Sequence, residues 1–419
     1  TFMALGAWKL MREGVIIKRS SVVETLGSTT VICTDKTGTI TENSMQLKAL
    51  FDYKSNQVFD EAHFNTPELS DLIEFAMWSS EPVPFDPMEK TLHQIYEQTQ
   101  TEDHRKGFEM IHEYPLDGKP PMMTHIFEND SGSRIIATKG APEAILAVCD
   151  LAENEKEILR GQISDFGNQG YRVLGVAKCN FEGSHFPEKQ QDFNFEFLGF
   201  TVFYDPPKEN IQQVFKKIYD AGIKVKVITG DNADTTNAIA KQAGIINLAP
   251  AVNGSEIVHY TEEELVELSE KTTLFTRMFP EAKLAMVKAF KKGGEVVAML
   301  GDGVNDAPAL KAAHIGVAMG HKGTEIAKAS ASLIITNDDL DKLITGIAAG
   351  RRIYANIKKA IQYIISIHIP IILTVSLPLF LGWIYPHIFT PVHVIFLELI
   401  MGPTCSIVYE NEPMEKDTM

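Results

Sequence analysis

Three loops of this sequence place carboxylates beside glycine, hydroxyl or amide residues directly after short apolar runs. They are residues 35–39 (DKTGT), 229–231 (TGD) and 301–306 (GDGVND). An aspartate carboxylate is a competent nucleophile towards a phosphoryl group and forms an acyl phosphate, provided that the charge of the incoming group is neutralised. The acid beside a flexible glycine in the first loop therefore indicates phosphoryl-transfer chemistry on Asp35.

The other polar residues of these loops match the needs of that chemistry. Mg²⁺ binds few carboxylates and keeps waters, so we expect Asp35 and Asp302 to hold one, with Thr37 as a further ligand. Lys283, in the segment PEAK, offers a positive charge to the transferring oxygens, and Thr37 and Thr229 donate hydrogen bonds to them. The predicted catalytic residues are Asp35, Lys36, Thr37, Thr229, Gly230, Asp231, Lys283, Asn305 and Asp306.

Each loop alone also fits an ordinary turn between a strand and a helix, where Gly and Asp are present for turn geometry. Three such loops in this order favour a shared crevice instead. In it, residues 36–39 help to build the phosphate pocket, and Asn305 and Asp306 orient the magnesium shell.

The elements that must position these loops alternate between strand and helix. Short apolar runs at 31–34, 224–229 and 296–300 each stop at an acidic or glycine-rich loop, which is typical of parallel strands. Amphipathic helices are predicted between them, at 211–221 and 281–291. This alternation predicts a doubly wound α/β sheet, whose strand-end loops converge on one crevice.

Composition limits the classes of function. The chain has 419 residues, 44% of them hydrophobic, which is enough for two or three cores. A formal net charge of −16 without a basic stripe argues against nucleic-acid binding. The four cysteines are scattered without metal-ligand or disulfide-framework spacing, so we expect reduced thiols.

Two long apolar stretches, 361–383 and 392–408, are predicted to be transmembrane helices. Four basic residues at 351–359 precede the first, whereas the turn at 384–390 has no Lys or Arg, which places the large polar part in the cytoplasm. Two prolines interrupt the first stretch, so a globular helix is the alternative, although membrane helices tolerate proline where neighbouring groups satisfy the backbone.

The segments DKTGT, ITGDN, DPPK and MLGDGVNDAPALK, in this order, resemble those of P-type cation-transporting ATPases, with the calcium-pump-like (P2-type) branch nearest. The resemblance covers the whole chain. It implies that ATP phosphorylates Asp35 and that Mg²⁺ is the cofactor. It also implies an α/β fold: a haloacid-dehalogenase-like doubly wound phosphorylation domain with an inserted α+β nucleotide-binding domain, followed by an α-helical transmembrane hairpin.

The same resemblance assigns domains and an ATP pocket. The expected domains are 1–23 (end of a membrane helix and stalk), 24–45 and 201–350 (phosphorylation domain), 46–200 (nucleotide-binding domain) and 351–419 (stalk and two transmembrane helices). Tyr114 is expected to stack on adenine, although Phe is commoner there, and Asp205 to mark a hinge. Singly, each charged residue of the pocket also fits a plain surface charge. The implied ATP-binding residues are Glu89, Tyr114, Lys119, Lys139, Arg172 and Asp205.

Three positions depart from the family's pattern: Leu300 before the glycine-rich loop, His314, and Ser332. All three lie outside the predicted transfer shell. We therefore expect catalysis to be retained and regulation or packing to differ.

The candidate site for the transported ion also departs from that of calcium pumps. Glu398 and His368 are ionisable residues inside the predicted membrane helices, where such residues are functional candidates by default. Calcium prefers six to eight oxygen ligands, and these two helices offer essentially one carboxylate. A proton, a monovalent ion and a divalent ion all stay open, as does a purely structural pairing of either residue.

The predicted function is ATP-driven cation transport across a membrane by a multi-pass protein, with ATP, a cation and the bilayer as partners. No Thr-Gly-Glu occurs here, so the actuator domain and the other membrane helices of the pump are expected outside this chain. One alternative is a membrane-tethered phosphatase of the same superfamily. That alternative conflicts with Thr37, where such enzymes commonly carry a second Asp. The other is a non-catalytic ATP-binding subunit.

Overall fold

A computed structural model describes residues 2–100, 103–118, 120–181, 183, 185–248, 250–382, 390–410 and 412–413. Its strands are β1 Val15–Ile17, β2 Val31–Thr34, β3 Gln46–Asp52, β4 Gln57–Asp60, β5 Phe108–Asp117, β6 Met122–Asn129, β7 Arg134–Gly140, β8 Arg172–Cys179, β9 Glu196–Tyr204, β10 Lys224–Ile228, β11 Val252–Asn253, β12 Leu274–Thr276, β13 Val297–Gly301, β14 Ile315–Met319 and β15 Leu333–Ile335. Its α-helices are α1 Phe2–Arg12, α2 Val22–Gly27, α3 Ser70–Trp78, α4 Pro87–Thr99, α5 Pro142–Val148, α6 Glu153–Asn168, α7 Ile211–Asp220, α8 Ala233–Gln242, α9 Gly254–Ile257, α10 Glu262–Lys271, α11 Pro280–Lys292, α12 Ala307–Ala312, α13 Glu325–Ser330, α14 Asp341–Leu381 and α15 Pro391–Glu410.

These elements form two compact units. The first unit comprises Thr1–Ile40, Glu209–Gly230 and Ala243–Met419, and the second comprises Thr41–Lys208 and Asp231–Gln242. Each unit has its own sheet and its own apolar core.

The first unit contains an eight-stranded sheet in the order β1-β15-β14-β13-β2-β10-β12-β11. Every neighbouring pair is parallel except β1 with β15. All four residues of β2 are buried, because this strand lies inside the sheet and has helices on both faces. The predicted doubly wound α/β fold is confirmed.

Register places the loops of the first unit at one edge of this sheet. Thr34, the last residue of β2, pairs with Val227 on β10 and with Leu300 on β13. Because the three strands are parallel and end together, the loops that follow them leave from the same edge.

The second unit has a seven-stranded antiparallel sheet in the order β4-β3-β9-β8-β7-β6-β5. Helices α3 and α4 pack on one face of the sheet, and α5 and α6 pack on the other. This α+β unit is wider than the predicted segment 46–200, since β9 continues to Tyr204 and α8 packs against α6. Its assignment as a nucleotide-binding domain stays a prediction.

Two helices among the described residues, α14 and α15, are long and apolar enough to cross a membrane, by length and composition. Helix α14 runs unbroken for 41 residues through Pro370 and Pro378 and stops at Gly382, whose positive φ of 63° ends it in a left-handed cap. At 1.5 Å per residue it is about 60 Å long, twice what a bilayer core requires. Most of the predicted turn 384–390 lies outside the described residues.

Candidate functional site

Asp35 lies directly after β2, the buried central strand of the first unit. Its backbone N–H donates to Leu300 O at 3.3 Å, which continues the ladder with β13 for one more residue. Lys36 N–H donates to Asp35 Oδ1 at 2.6 Å. Gly38, three residues after Asp35, has φ +71°, a left-handed conformation that favours glycine and turns the chain away from the strand.

Lys283 joins two predicted catalytic acids. It lies in the first turn of α11, which begins at Pro280. Its Nζ donates to Asp35 Oδ2 at 2.6 Å and to Asp306 Oδ1 at 2.7 Å, and its side chain is 2% exposed. Burial opposes the charged form of Lys283, but Asp35 and Asp306 outweigh burial and raise its pKa. The structure thus keeps a positive charge against the predicted nucleophile.

Both carboxylate oxygens of Asp306 accept hydrogen bonds, Oδ1 from Lys283 and Oδ2 from the backbone. Its Oδ2 accepts the backbone N–H of Gly303 at 3.2 Å. Gly301 leaves room for it, because a Cβ added there would lie 2.6 Å from Asp306 Cβ. Burial, followed by repulsion from Asp35, raises the pKa of Asp306. Asn305 is exposed, so its predicted orienting role stays a prediction.

Asp302 completes an acidic cluster that fits a divalent cation. Burial, then the negative charges of Asp35 and Asp306, raises the pKa of Asp302 to about 7. Within the described part of the chain, no ion pair involves its carboxylate. Thr39 Oγ1 is also buried without a hydrogen-bond partner there. Three neighbouring carboxylates, one of them unpaired, are the kind of oxygen ligand that Mg²⁺ prefers.

The second predicted loop divides between the two units. Thr229 belongs to the first unit and is buried, and its backbone bonds to Phe275 O and Met278 N, both at 2.9 Å. Gly230, which follows it, is exposed. Asp231 belongs to the second unit, where Arg172 Nη1 lies 4.0 Å from its Oδ1. The predicted place of Asp231 in the catalytic crevice stays a prediction.

In the second unit, Lys139 and Glu89 form a buried ion pair. Lys139, at the end of β7, donates from Nζ to Glu89 Oε1 and to Ser80 Oγ, both at 2.7 Å. Burial lowers the pKa of Lys139, although Glu89 acts against this shift. Glu89 Oε2 is buried and has no partner among the described residues, so it can accept a hydrogen bond from a ligand such as an amino group. Ser80 belongs to no motif, and sequence reasoning missed it.

Tyr114 does not lie with this pair. Strand register pairs Tyr114 with Thr124 and Thr124 with Thr138. Paired residues share a face of a sheet and neighbours alternate, so Tyr114 and Lys139 point to opposite faces. Tyr114 is 8% exposed, and its hydroxyl donates to Pro187 O at 2.5 Å. Its adenine-stacking role stays a prediction.

Two other predicted ATP-binding residues have different surroundings, and one is outside the described residues. Asp205 is 4% exposed and accepts from Thr41 Oγ1 at 2.5 Å and from Ser44 N–H at 3.0 Å, so it ties the start of the segment Thr41–Lys208 to its end. The side chain of Arg172 is 39% exposed beside Asp231. Lys119 lies outside the described residues.

The two candidate residues for the transported ion lie in contact. His368 on α14 and Glu398 on α15 form an ion pair with Nε2 and Oε1 2.7 Å apart. The other ring nitrogen of His368 lies 2.7 Å from Ile364 O. The only carboxylate predicted for the ion site is therefore already paired with the predicted histidine.

Comparison with known proteins identifies the family of the chain. The family description "haloacid dehalogenase-like hydrolase" matches residues 29–314. "Calcium-transporting ATPase 1" of Bacillus cereus is 32% identical over 436 residues, which cover 100% of this chain and 49% of that protein. "Potassium-transporting ATPase alpha chain 1" of Xenopus laevis is 32% identical over 499 residues, covering 100% and 47%. "Probable cation-transporting P-type ATPase" of Mycoplasma genitalium is 32% identical over 436 residues, covering 99% and 48%.

The chain belongs to the haloacid dehalogenase-like hydrolases, since that family matches residues 29–314, which include the central strands β2, β10 and β13 and the Asp35–Lys283–Asp306 cluster. Within this family it is similar along its length to P-type cation-transporting ATPases, which confirms the resemblance seen in the motifs. The chain spans about half the length of the curated relatives it matches.

Proposed function

We propose that this chain is the phosphorylation and ATP-binding part of a P-type cation pump, with Asp35 as the phosphoryl acceptor. The observation that carries the proposal is the buried Lys283, which contacts both Asp35 and Asp306 at the end of the central strand. The similarity to cation-transporting ATPases supports the same function.

In the proposed transfer, an Asp35 carboxylate oxygen attacks the γ-phosphorus of ATP. A new O–P bond forms, the bond to the leaving oxygen breaks, and its electron pair stays on ADP. Lys283 offers its positive charge to the phosphoryl oxygens as it is released from Asp35. Asp35, Thr37 and Asp302 would hold Mg²⁺, which neutralises phosphate charge. Asp306 then holds Lys283 in place.

The second unit is the proposed nucleotide-binding domain. Lys139 supplies a buried cation at the end of β7, and the unpaired Glu89 Oε2 supplies an acceptor suited to the adenine amino group. Asp205 ties the start of the segment Thr41–Lys208 to its end through Thr41 and Ser44, which supports a hinge at this point.

The proposed membrane part is the hairpin of α14 and α15. In the most apolar window of each helix, 6% and 0% of the residues are buried within the protein, whereas the core helix of a soluble protein would be mostly buried. The basic residues at 351–359 support a cytoplasmic location for both units. Phosphorylation of Asp35 is proposed to drive alternating access of a cation or proton site that includes His368 and Glu398.

The full-length natural protein tests this function, because relatives are about twice as long as this chain. We expect acid-stable label from γ-labelled ATP that hydroxylamine removes, that Asp35→Asn abolishes, and that depends on one cation across a panel of cations and pH values. Label that survives in Asp35→Asn contradicts the proposed acceptor. Absence of label under every condition, with the protein folded, favours a tethered phosphatase or a non-catalytic subunit instead.

A further inference from the structure

A group of three potential metal ligands lies in the second unit, apart from the residues proposed for phosphoryl transfer. Glu81, Glu113 and His125 each offer one ligand atom, and these atoms lie within 4.8 Å of one another. Glu81 follows α3, Glu113 lies on β5, and His125 lies directly opposite it on β6. Three separate segments therefore converge on one point.

His125 is oriented as metal-binding histidines are. Its side chain is fully buried, and its Nδ1 lies 3.1 Å from the backbone oxygen of Ser80. A carbonyl can only accept, so Nδ1 carries the proton and Nε2 presents a lone pair. Nε2 is buried and has no hydrogen-bond partner among the described residues. Histidines that bind metals commonly donate their other N–H to a carbonyl in this way.

The charges at this cluster also suit a cation. Neither Glu81 nor Glu113 forms an ion pair with a Lys or Arg of the described chain. Lys139, which lies on the same face of the sheet, is already paired with Glu89 at 2.7 Å. Two carboxylates and a neutral imidazole carry two negative charges, which a divalent cation balances.

We propose that Glu81, Glu113 and His125 form a binding site for a divalent cation of the zinc class. Imidazole nitrogen with carboxylate oxygen is a ligand set that suits Zn²⁺, whereas Mg²⁺ and Ca²⁺ prefer oxygen ligands alone. Glu113 is exposed, so water completes the coordination from the solvent side.

Ser80 connects this site to the proposed ATP pocket. Its carbonyl accepts from His125, and its hydroxyl accepts from Lys139 at 2.7 Å. A bound cation fixes the His125 ring and with it the backbone of Ser80, whose hydroxyl holds Lys139. This regulatory consequence rests on the proposed function, but cation binding itself does not.

The test uses untagged full-length protein, stripped of metal and titrated with Zn²⁺ against a chromophoric chelator in the absence of ATP. We expect Glu81→Gln and Glu113→Gln each to weaken Zn²⁺ binding by about tenfold or more. Glu109→Gln removes the same charge from an exposed position on the same strand and is the matched control, with unchanged affinity expected. Co²⁺ in place of Zn²⁺ should give a visible absorption band that both variants lose.

Comparing variants separates this site from any other zinc-binding site on the protein. Equal Zn²⁺ affinity in Glu81→Gln, Glu113→Gln and Glu109→Gln would overturn the proposal, as would folded protein that binds no Zn²⁺. Circular dichroism verifies that each variant is folded. Asp35→Asn removes a proposed magnesium ligand but should keep the Zn²⁺ binding that Glu81→Gln and Glu113→Gln lose, so failure of the metal site and failure of the pump proposal give different results.

Discussion

The two units each bury a lysine against carboxylates, but they do so with opposite electrostatic outcomes. In the first unit, Lys283 contacts Asp35 and Asp306, and its pKa rises despite burial. In the second, Lys139 has one carboxylate partner, Glu89, and burial lowers its pKa. The first site thus has excess negative charge and suits a metal ion with a phosphoryl group. At the second site the charges of Lys139 and Glu89 nearly cancel, which suits recognition of a ligand by hydrogen bonds.

The largest expected effect comes from removing the lysine with two partners. Lys283→Met leaves Asp35 and Asp306 facing each other without a counter-charge. We expect phosphorylation from ATP to slow by about 10²–10³-fold, with a loss of about 3–5 kcal/mol in the free energy of unfolding. Rapid-quench labelling and urea unfolding measure the two effects. Lys288→Met, at an exposed position on the same helix, is the control, and equal rates in the two variants would contradict the role of Lys283.

Removing Lys139, the lysine with one carboxylate partner, should mainly affect stability and ATP affinity. Lys139→Met leaves the buried Glu89 carboxylate unpaired, so we expect a loss of about 3–5 kcal/mol in unfolding free energy. The double variant Lys139→Met/Glu89→Gln should recover part of that loss, because the buried charge is gone. ATP affinity, measured by calorimetry, should fall about tenfold in both. A double variant as unstable as the single one would show that the pair is not the cause.

A smaller effect on stability and phosphorylation is expected from substituting one of the two glycines that flank Asp302. A Cβ at Gly301 would lie 2.6 Å from Asp306 Cβ, whereas the nearest atom to a Cβ at Gly303 is 3.5 Å away. We expect Gly301→Ala to displace Asp306 and to lower the free energy of unfolding by about 1–3 kcal/mol, with slower phosphorylation. Gly303→Ala should change both quantities much less. If Gly303→Ala had the larger effect on stability and phosphorylation, the close approach of Asp306 to Gly301 would not be what constrains this site.

The smallest effect concerns Tyr114. Tyr114→Phe removes only the hydroxyl that donates to Pro187 O, so we expect a loss of about 1 kcal/mol in unfolding free energy and unchanged ATP affinity. Thermal unfolding and calorimetry measure these quantities. An ATP affinity that falls with the hydroxyl would place Tyr114 in the pocket through its oxygen.

The sequence predicts the core of the first unit well. Its central strands β2 and β13 are largely apolar runs that end at polar loops, a pattern that parallel strands produce because both faces are buried. The predicted helices at 211–221 and 281–291 are observed as α7 and α11. Each helix has one apolar face that packs on the core, and this spacing of apolar residues is visible in the sequence. Once the strands are placed, Asp35 and the residues after β13 must leave from one edge.

Side-chain direction in the second unit could not be predicted in this way. Strand β5 has two register irregularities, between Met110 and His112 and between Tyr114 and Asp117. Each irregularity changes which side chains face which way, so a motif position does not determine the face. Ser80 acts through one carbonyl and one hydroxyl, neither of which leaves a sequence pattern.

The central claim, that Asp35 is the phosphoryl acceptor, is tested most directly by chemical trapping. The full-length protein is phosphorylated with ATP and Mg²⁺, treated with borohydride, which reduces an acyl phosphate to an alcohol, and mapped by peptide mass spectrometry. We expect homoserine at position 35 that depends on ATP and that is lost when hydroxylamine cleaves the acyl phosphate before reduction. Homoserine at another aspartate, with position 35 unmodified, would contradict the account.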